Sequence, residues 1–224
     1  MNNIEEIIKS RHSVRKYKDD IISEFLVNKL NALISKYNKE ANLNIELKIN
    51  DQETFETYKL HYGKIYNCNS YIALIGNKND KKLYEKVGYY GQKLVLEAQS
   101  MGLNTCWVGV GYNKRVMNLE ILPKQKLVCI IAIGYGVHSG KARPSKTFEE
   151  VSVSLDVPNW YKKGVEYALL APTAVNQQKF KFELHKDNLV SIKTGIGPFV
   201  KVDLGIVKYH FELGAGKENF KWKC

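Results

Sequence analysis

The sequence has few cysteines, few prolines and no long apolar run. Its four cysteines form no C-x-x-C pair and show no zinc-like spacing with the five histidines, which argues against a disulfide framework or a metal site. Unpaired cysteines fit a reducing compartment. The longest apolar run, at about residues 127–133, is much shorter than a membrane span. The acidic N-terminus lacks the apolar segment of a signal peptide, so we expect a cytoplasmic protein with no membrane partner.

The rest of the composition is that of an ordinary globular protein. Of the 224 residues, 44% are hydrophobic and 25% are charged, a balance typical of folded domains. This length suits one large domain or two small, closely packed ones. It also provides a substantial core without support from disulfides or metals.

The net charge is strongly basic, at +11. Such a charge fits a nucleic-acid partner, a basic surface around a site for phosphorylated small molecules, or simple solvation. The lysines are scattered along the chain, with no block of five or more basic residues. This spread favours solvation with a local anion site over a dedicated nucleic-acid surface.

Hydrophobic periodicity and helix-breaking residues predict alternating helices and strands. A short amphipathic helix begins at Ile4 and ends at Arg11, and Ser23 is the expected N-cap of the second helix. Gly102 is expected to end a later helix, and Gly214 and Gly216 are expected to end the last one. Further helices are predicted at residues 88–101, 158–170 and 203–213, with a candidate helix at 58–66. Strands are predicted at residues 44–49, 71–76, 103–109, 127–133, 179–185 and 190–192.

The order of elements in the first half of the chain recurs in the second half. In each half two glycines that are eleven residues apart accompany a long helix, and a tryptophan follows the second glycine after five or six residues. The glycine pairs are Gly91 with Gly102 and Gly205 with Gly216. This pattern predicts a degenerate internal duplication, although two α/β units can also resemble each other by chance.

The first candidate site is the cluster Arg11-His12-Ser13-Val14-Arg15 at the end of the first helix. Arginine binds a phosphate through two parallel N–H donors, and serine and histidine each add one donor. A cluster that spans a helix end can direct several side chains at one point. Taken alone, however, it is better explained as a basic helix terminus at which Arg11 interacts with the helix dipole.

Two further segments have the chemistry of a binding site. In residues 171–178, Pro172 ends a helix, small residues let a planar ring approach the backbone, and amides offer donors and acceptors. A plain helix-to-strand turn explains the same residues. The loop at residues 134–146 carries Lys141 and Arg143 just after a strand, where α/β proteins commonly bind ligands. Its simpler explanation is a solvated basic loop.

Together these segments resemble the nitroreductase family of FMN-dependent NAD(P)H oxidoreductases, over residues 1 to about 156. The matching stretches are S-R-H-S-V-R-K-Y at residues 10–17, G-Q-K-L-V-L-E-A at 91–98, I-G-Y-G at 133–136 and F-E-E-V at 148–151. Residues 168–178 also resemble the family's A-P-S-x-x-N-x-Q segment. In that segment Thr173 replaces the usual serine, and Lys179 follows where proline is common.

The position of the A-P-S-x-x-N-x-Q segment departs from the family pattern. In most of the family it follows the arginine motif after a few tens of residues, but residues 35–42 lack the pattern and the segment lies in the second half. Family members usually pair two identical subunits with each FMN between them. The resemblance therefore implies a fused chain, with a first lobe at residues 1–156 and a second at residues 157–224. We expect a monomeric pseudo-dimer with one FMN, with a homodimer as the alternative.

The resemblance also implies a fold and a set of cofactor-binding residues. The fold is an α+β nitroreductase-like fold, with a mixed β-sheet flanked by helices and an internal pseudo-duplication. The phosphate end of FMN is assigned to Arg11, His12, Ser13 and Arg15, with added charge from Lys141 and Arg143. Gly109 is expected beside the flavin, and the ring contacts are assigned to Pro172, Thr173, Ala174 and Asn176. No side chain is an obvious acid or base, so no catalytic residue is assigned, because the flavin carries the hydride chemistry.

The implied function is an FMN-dependent oxidoreductase. It would pass electrons from NADH or NADPH to a small acceptor such as a nitroaromatic, a quinone or a flavin. One alternative is a flavin- or nucleotide-binding protein of the same fold that does not turn over. The other is a basic nucleic-acid-binding protein.

Overall fold

The computed structural model describes residues 4–51, 53–55 and 64–223. The chain divides into two compact units, unit 1 at Met1–Ala142 and unit 2 at Arg143–Cys224. This division falls before the predicted lobe boundary at residue 156. The reason is that residues 143–156 pack within unit 2, where Ser152 forms a β-bridge with Phe182.

The elements of unit 1 follow the predicted order. Its described helices are α1 (Ile4–Ser10), α2 (Glu24–Ala41) and α3 (Leu83–Ser100), and its strands are β1 (Glu46–Lys48), β2 (Tyr71–Asn77), β3 (Asn104–Val108) and β4 (Gln125–Gly134). A 3₁₀ turn occupies Glu53–Phe55. The candidate helix at 58–66 lies mostly outside the described residues.

The sheet of unit 1 has the strand order β1-β2-β4-β3, and each neighbouring pair is antiparallel. Both of its faces are buried. Helices α2 and α3 pack against the strands, and an apolar cluster contains Tyr71, Ala73 and Ile75, which alternate along β2 and so point to one face. That cluster also contains Val14 and Tyr17, from the segment that follows α1. The arginine cluster is therefore anchored to the core of unit 1.

Unit 2 is built around aromatic side chains. Its helices are α4 (Phe148–Val151), α5 (Asn159–Leu169) and α6 (Val200–Ala215), and its strands are β5 (Phe180–Leu184), β6 (Leu189–Thr194) and β7 (Lys221–Trp222). Strand β6 pairs antiparallel with β5 and parallel with β7. Phe211 of α6 is fully buried, and its ring stacks on Phe182 at a centroid distance of 4.8 Å.

The two units share an order of elements, α2-β1-β2-α3-β3 in unit 1 and α5-β5-β6-α6-β7 in unit 2. In both units the first two strands are antiparallel and the third runs parallel to the second. They differ because β4 lies between β2 and β3, whereas β7 pairs directly with β6. The shared order is what the predicted duplication requires.

The ends of the two long helices match as well. Gly102 follows α3 with φ +80°, and Gly216 caps α6 with φ +75°, a conformation that glycine adopts without strain. The expectation that Gly214 also ends the last helix is wrong, because α6 continues to Ala215. A Cβ at Gly214 would collide with the backbone carbonyl of Lys163 in α5. Gly214 therefore serves close helix packing. Among the described residues, no helix is both long and apolar enough to cross a membrane.

Candidate functional site

The segment that follows α1 is fixed in place by backbone hydrogen bonds on both sides. The amide of Val14 donates to the carbonyl of Thr105 at 3.1 Å, and the amide of Val137 donates to the carbonyl of Lys16 at 3.0 Å. The segment therefore joins the edge strand β3 and the residues that follow β4. The backbone of the arginine cluster is thus rigidly positioned by the sheet of unit 1.

The side chains of the cluster differ in exposure, and three of them interact with one buried thiol. Arg11 is buried, with 4% of its surface exposed, His12 and Ser13 are half-buried, and Arg15 is exposed. Burial raises the pKa of the Cys106 thiol, and the positive charges of Arg15 and Arg11 and a hydrogen bond with Ser13 oppose that rise. Three of the predicted phosphate-binding side chains therefore lie around the same buried thiol.

The basic loop packs directly on this cluster. Gly140 has φ +84°, and a Cβ at this position would lie 2.6 Å from the Cβ of His12 and 3.3 Å from the carbonyl oxygen of Ser13. Glycine is required here both by the left-handed backbone and by the close approach. Because the exposed Lys141 follows directly, the structure places it beside the arginine cluster.

Replacing Gly140 by alanine should move the loop away from His12 and Ser13, because the new methyl group meets a Cβ and a backbone carbonyl. We expect the affinity for FMN to fall roughly tenfold, corresponding to about one lost charged hydrogen bond. Fluorescence titration with FMN measures this change. The matched control is Ser139→Ala, a neighbouring exposed position at which affinity should not change. Equal affinities for the two variants would contradict the role of Gly140.

Gly109 is not brought against the arginine cluster. It follows β3 directly, whereas Ser13 bridges to Thr105 near the beginning of that strand. Four residues of extended strand correspond to about 13 Å. The structure therefore places Gly109 at the other end of β3 in unit 1.

Arg143 has a different environment from the one implied by the resemblance. Its guanidinium donates hydrogen bonds to the Asn176 side-chain oxygen at 2.5 Å, to the Leu169 carbonyl at 3.0 Å and to the Ala171 carbonyl. Burial lowers the pKa of this guanidinium, although an arginine stays protonated at neutral pH. These contacts hold the end of α5 and the segment after it, so the geometry supports a positioning role for Arg143 more directly than phosphate binding.

The Asn176 amide is used within unit 2. Its oxygen accepts from Arg143 and from the Gln178 amide, and its nitrogen donates to the carbonyl of Pro144 at 2.9 Å. Lys146 donates from its ammonium to the Gln178 carbonyl at 2.9 Å. The structure thus joins two segments that were predicted separately, residues 143–146 of the basic loop and residues 171–178.

Within the segment at residues 171–178, the side chains of Thr173, Ala174 and Val175 are accessible. Pro172 is buried, Thr173 and Ala174 are half-buried, and the Val175 side chain is 68% exposed. The backbone is unusual for residues that are not glycine, because Val175, Asn176 and Gln178 have φ of 46°, 55° and 43°. A left-handed valine is uncommon, and such strained backbone concentrates at functional sites.

Two features of unit 2 were not predicted. Asp203 of α6 accepts a hydrogen bond from the amide of Ala174 at 3.0 Å, and no sequence motif marks it. A cavity of about 510 Å³ is lined by residues that include Trp222, Lys193 and Lys208, but by none of the predicted site residues. Within the described part of the chain, no cluster of His, Cys, Asp and Glu side chains could hold a metal ion.

Comparison with known proteins identifies the family. Residues 3–215 match the family model described as "Putative TM nitroreductase", so the chain belongs to this nitroreductase family. The resemblance inferred from the sequence motifs is confirmed. None of the curated proteins matches the chain.

Solved structures share the fold. A "putative nitroreductase" from Thermotoga maritima has a TM-score of 0.68 and 24% identity over 95% of this chain and 83% of that chain. A nitroreductase family protein from Clostridium difficile 630 has a TM-score of 0.53 and 15% identity over 70% and 100%. A "putative nitroreductase" from Desulfovibrio desulfuricans, solved with FMN, has a TM-score of 0.51 and 18% identity over 70% and 99%. The predicted nitroreductase-like α+β fold is confirmed.

Proposed function

We propose that this protein binds FMN and is an oxidoreductase that passes electrons from NADH or NADPH to a small acceptor such as a nitroaromatic, a quinone or a flavin. Membership of a nitroreductase family supports this class of reaction, and a structure of the same fold was solved with FMN. The observation that carries the proposal is the buried Arg11, which, like Ser13 and Arg15, interacts with the buried thiol of Cys106 in unit 1.

The donors of the arginine cluster suit the phosphate of FMN. A phosphate dianion accepts several hydrogen bonds, and a guanidinium offers two parallel donors in fixed geometry. Arg11 would make the paired contact, and the Ser13 hydroxyl and the His12 ring would each add a donor. Lys141, beside them through Gly140, would add a positive charge at the exposed side. Because the backbone of the segment is fixed by the sheet, little ordering is needed when the phosphate binds.

The accessible stretch at Thr173 and Ala174 suits contact with a flat ring. Both side chains are small, and the strained backbone beside them is held by hydrogen bonds within unit 2. When bound, FMN would supply a ring that accepts and donates hydride. The residues of the chain would bind and orient that ring, which requires no protein acid or base.

The proposal is tested with purified protein by titration with FMN and then, under anaerobic conditions, with NADH and NADPH. We expect quenching of FMN fluorescence, one FMN per monomeric chain because the Arg11 motif occurs once, and bleaching of the flavin absorbance by at least one nucleotide.

Each alternative has its own outcome. If FMN is neither quenched nor raises the melting temperature, the protein does not bind flavin. If FMN binds but stays oxidised with both nucleotides, the protein is a non-enzymatic flavin-binding protein. Binding of duplex DNA that weakens steeply with salt would instead support the nucleic-acid alternative.

A further inference from the structure

A buried carboxylate holds the strained stretch at residues 173–178. Asp203 lies in the first turn of α6 with 7% of its surface exposed. Its two oxygens accept hydrogen bonds from the amide of Ala174 at 3.0 Å and from the side-chain nitrogen of Gln177 at 2.7 Å. The carboxylate thus binds both ends of a turn whose two middle residues, Val175 and Asn176, have a left-handed backbone.

The geometry of Gln177 requires an acceptor at Asp203. The Gln177 nitrogen also donates to the carbonyl of Pro198 at 2.8 Å, so both of its hydrogens are used. Turning the amide over would place its oxygen against that carbonyl. In the observed orientation the Gln177 oxygen is buried without a hydrogen-bond partner in the described structure. Leaving a buried acceptor unpaired costs free energy, which the two N–H donors offset. An ionised carboxylate suits two facing donors because it only accepts.

Two charged side chains therefore hold the stretch, one at each side. Arg143 binds the Asn176 side chain, and Asp203 binds Ala174 and Gln177. A stretch with several left-handed residues needs such support, because strained backbone persists only where the surroundings fix it. Arg143 belongs to the basic loop that was predicted as a candidate site, whereas Asp203 lies in a different element, α6.

From this geometry we infer that Asp203 is a positioning residue for the flavin: its ionised carboxylate orders the Thr173–Gln178 stretch for contact with the ring. The inference rests on the proposed function, since it concerns the stretch assigned to the flavin ring. Ordering the stretch before binding reduces the entropy lost when the flavin binds.

The environment of Asp203 makes this role depend on pH. Burial raises its pKa to about 6, and the hydrogen bonds from Ala174 and Gln177 oppose that rise. The charged side chains on the surrounding elements are engaged or exposed: Arg143 binds Asn176, Lys179 donates to the Ile196 carbonyl at 2.7 Å, and Lys201 of α6 is exposed. Below about pH 6 the carboxyl carries a proton and faces one of its donors with an O–H.

The test compares FMN affinity in wild type and Asp203→Asn between pH 5 and pH 8. At pH 8 we expect the variant to bind about tenfold more weakly, as for one lost charged hydrogen bond. Near pH 5 the ratio of the two dissociation constants should approach one. The phosphate of FMN itself titrates near pH 6, but it does so equally in both proteins and cancels in the ratio. Asp156→Asn, at an exposed position, is the matched control.

Folding stability should change with pH in the opposite direction to the FMN affinity. An acid whose folded pKa lies above its unfolded value, about 3.9, binds its proton more tightly when folded. Wild type should therefore gain stability relative to Asp203→Asn as the pH falls from 7 to 5, while its relative FMN affinity falls. A merely structural role would move stability and affinity in the same direction.

A second variant tests the inference independently, in case Asp203→Asn does not fold. Gln177→Ala removes one donor that lowers the pKa of Asp203, so the affinity step should move to higher pH. If wild type binds FMN but the affinity ratio for Asp203→Asn stays near one at every pH, the inference is overturned and the proposed function stands. If wild type binds no flavin, the proposed function fails and the inference fails with it.

Discussion

Replacing Arg11 by alanine should weaken FMN binding about 10- to 150-fold, which corresponds to about 1.5–3 kcal/mol for the loss of a charged hydrogen-bond donor. The expected loss is large because Arg11 is buried, with 4% of its surface exposed, so bulk water screens its interaction with a phosphate only weakly. Fluorescence titration gives the two dissociation constants.

Two control variants distinguish the specific contribution of the Arg11 guanidinium to FMN binding from that of its positive charge alone. Arg115→Ala removes the same charge from an exposed position of unit 1 and should leave affinity nearly unchanged. Arg11→Lys keeps the charge but loses the paired donors, so it should bind FMN with intermediate affinity. Wild-type affinity in Arg11→Ala would refute the phosphate role, provided that the melting temperature shows a folded protein.

The second large effect concerns stability. Phe211→Ala should lower the free energy of unfolding by about 3–5 kcal/mol, because it leaves a cavity in a packed core. The Phe211 ring is fully buried and contacts Phe182, Phe220 and Trp222 at centroid distances of 4.8, 5.1 and 5.3 Å. Chemical denaturation followed by tryptophan fluorescence measures the loss.

The control for this variant is Phe25→Ala, because the Phe25 side chain is 73% exposed. Its removal should change stability by no more than about 0.5 kcal/mol. A loss of less than about 1 kcal/mol in Phe211→Ala would mean that the aromatic cluster does not form the core of unit 2.

Much of the fold could be predicted because its signals are local. The 3.6-residue period of α3 and the glycine that follows it are both contained in one short stretch. The same holds for the buried run of β4 between Gln125 and Gly134. The prediction that Gly214 ends a helix was wrong because glycine also permits close packing between helices. The neighbour that requires a glycine there, Lys163, lies in another helix.

The sequence by itself determined most of the succession of helices and strands and the family. It also marked the R-H-S-V-R cluster as a candidate site, although its residue types alone fit a basic helix end as well as a phosphate site. The tertiary structure decided which side chains face one another. Gly140 lies against His12, Arg143 binds Asn176, and Asp203 binds an amide 29 residues away. No local pattern encodes such pairs, because side-chain direction follows from the packing of elements that are distant in the chain.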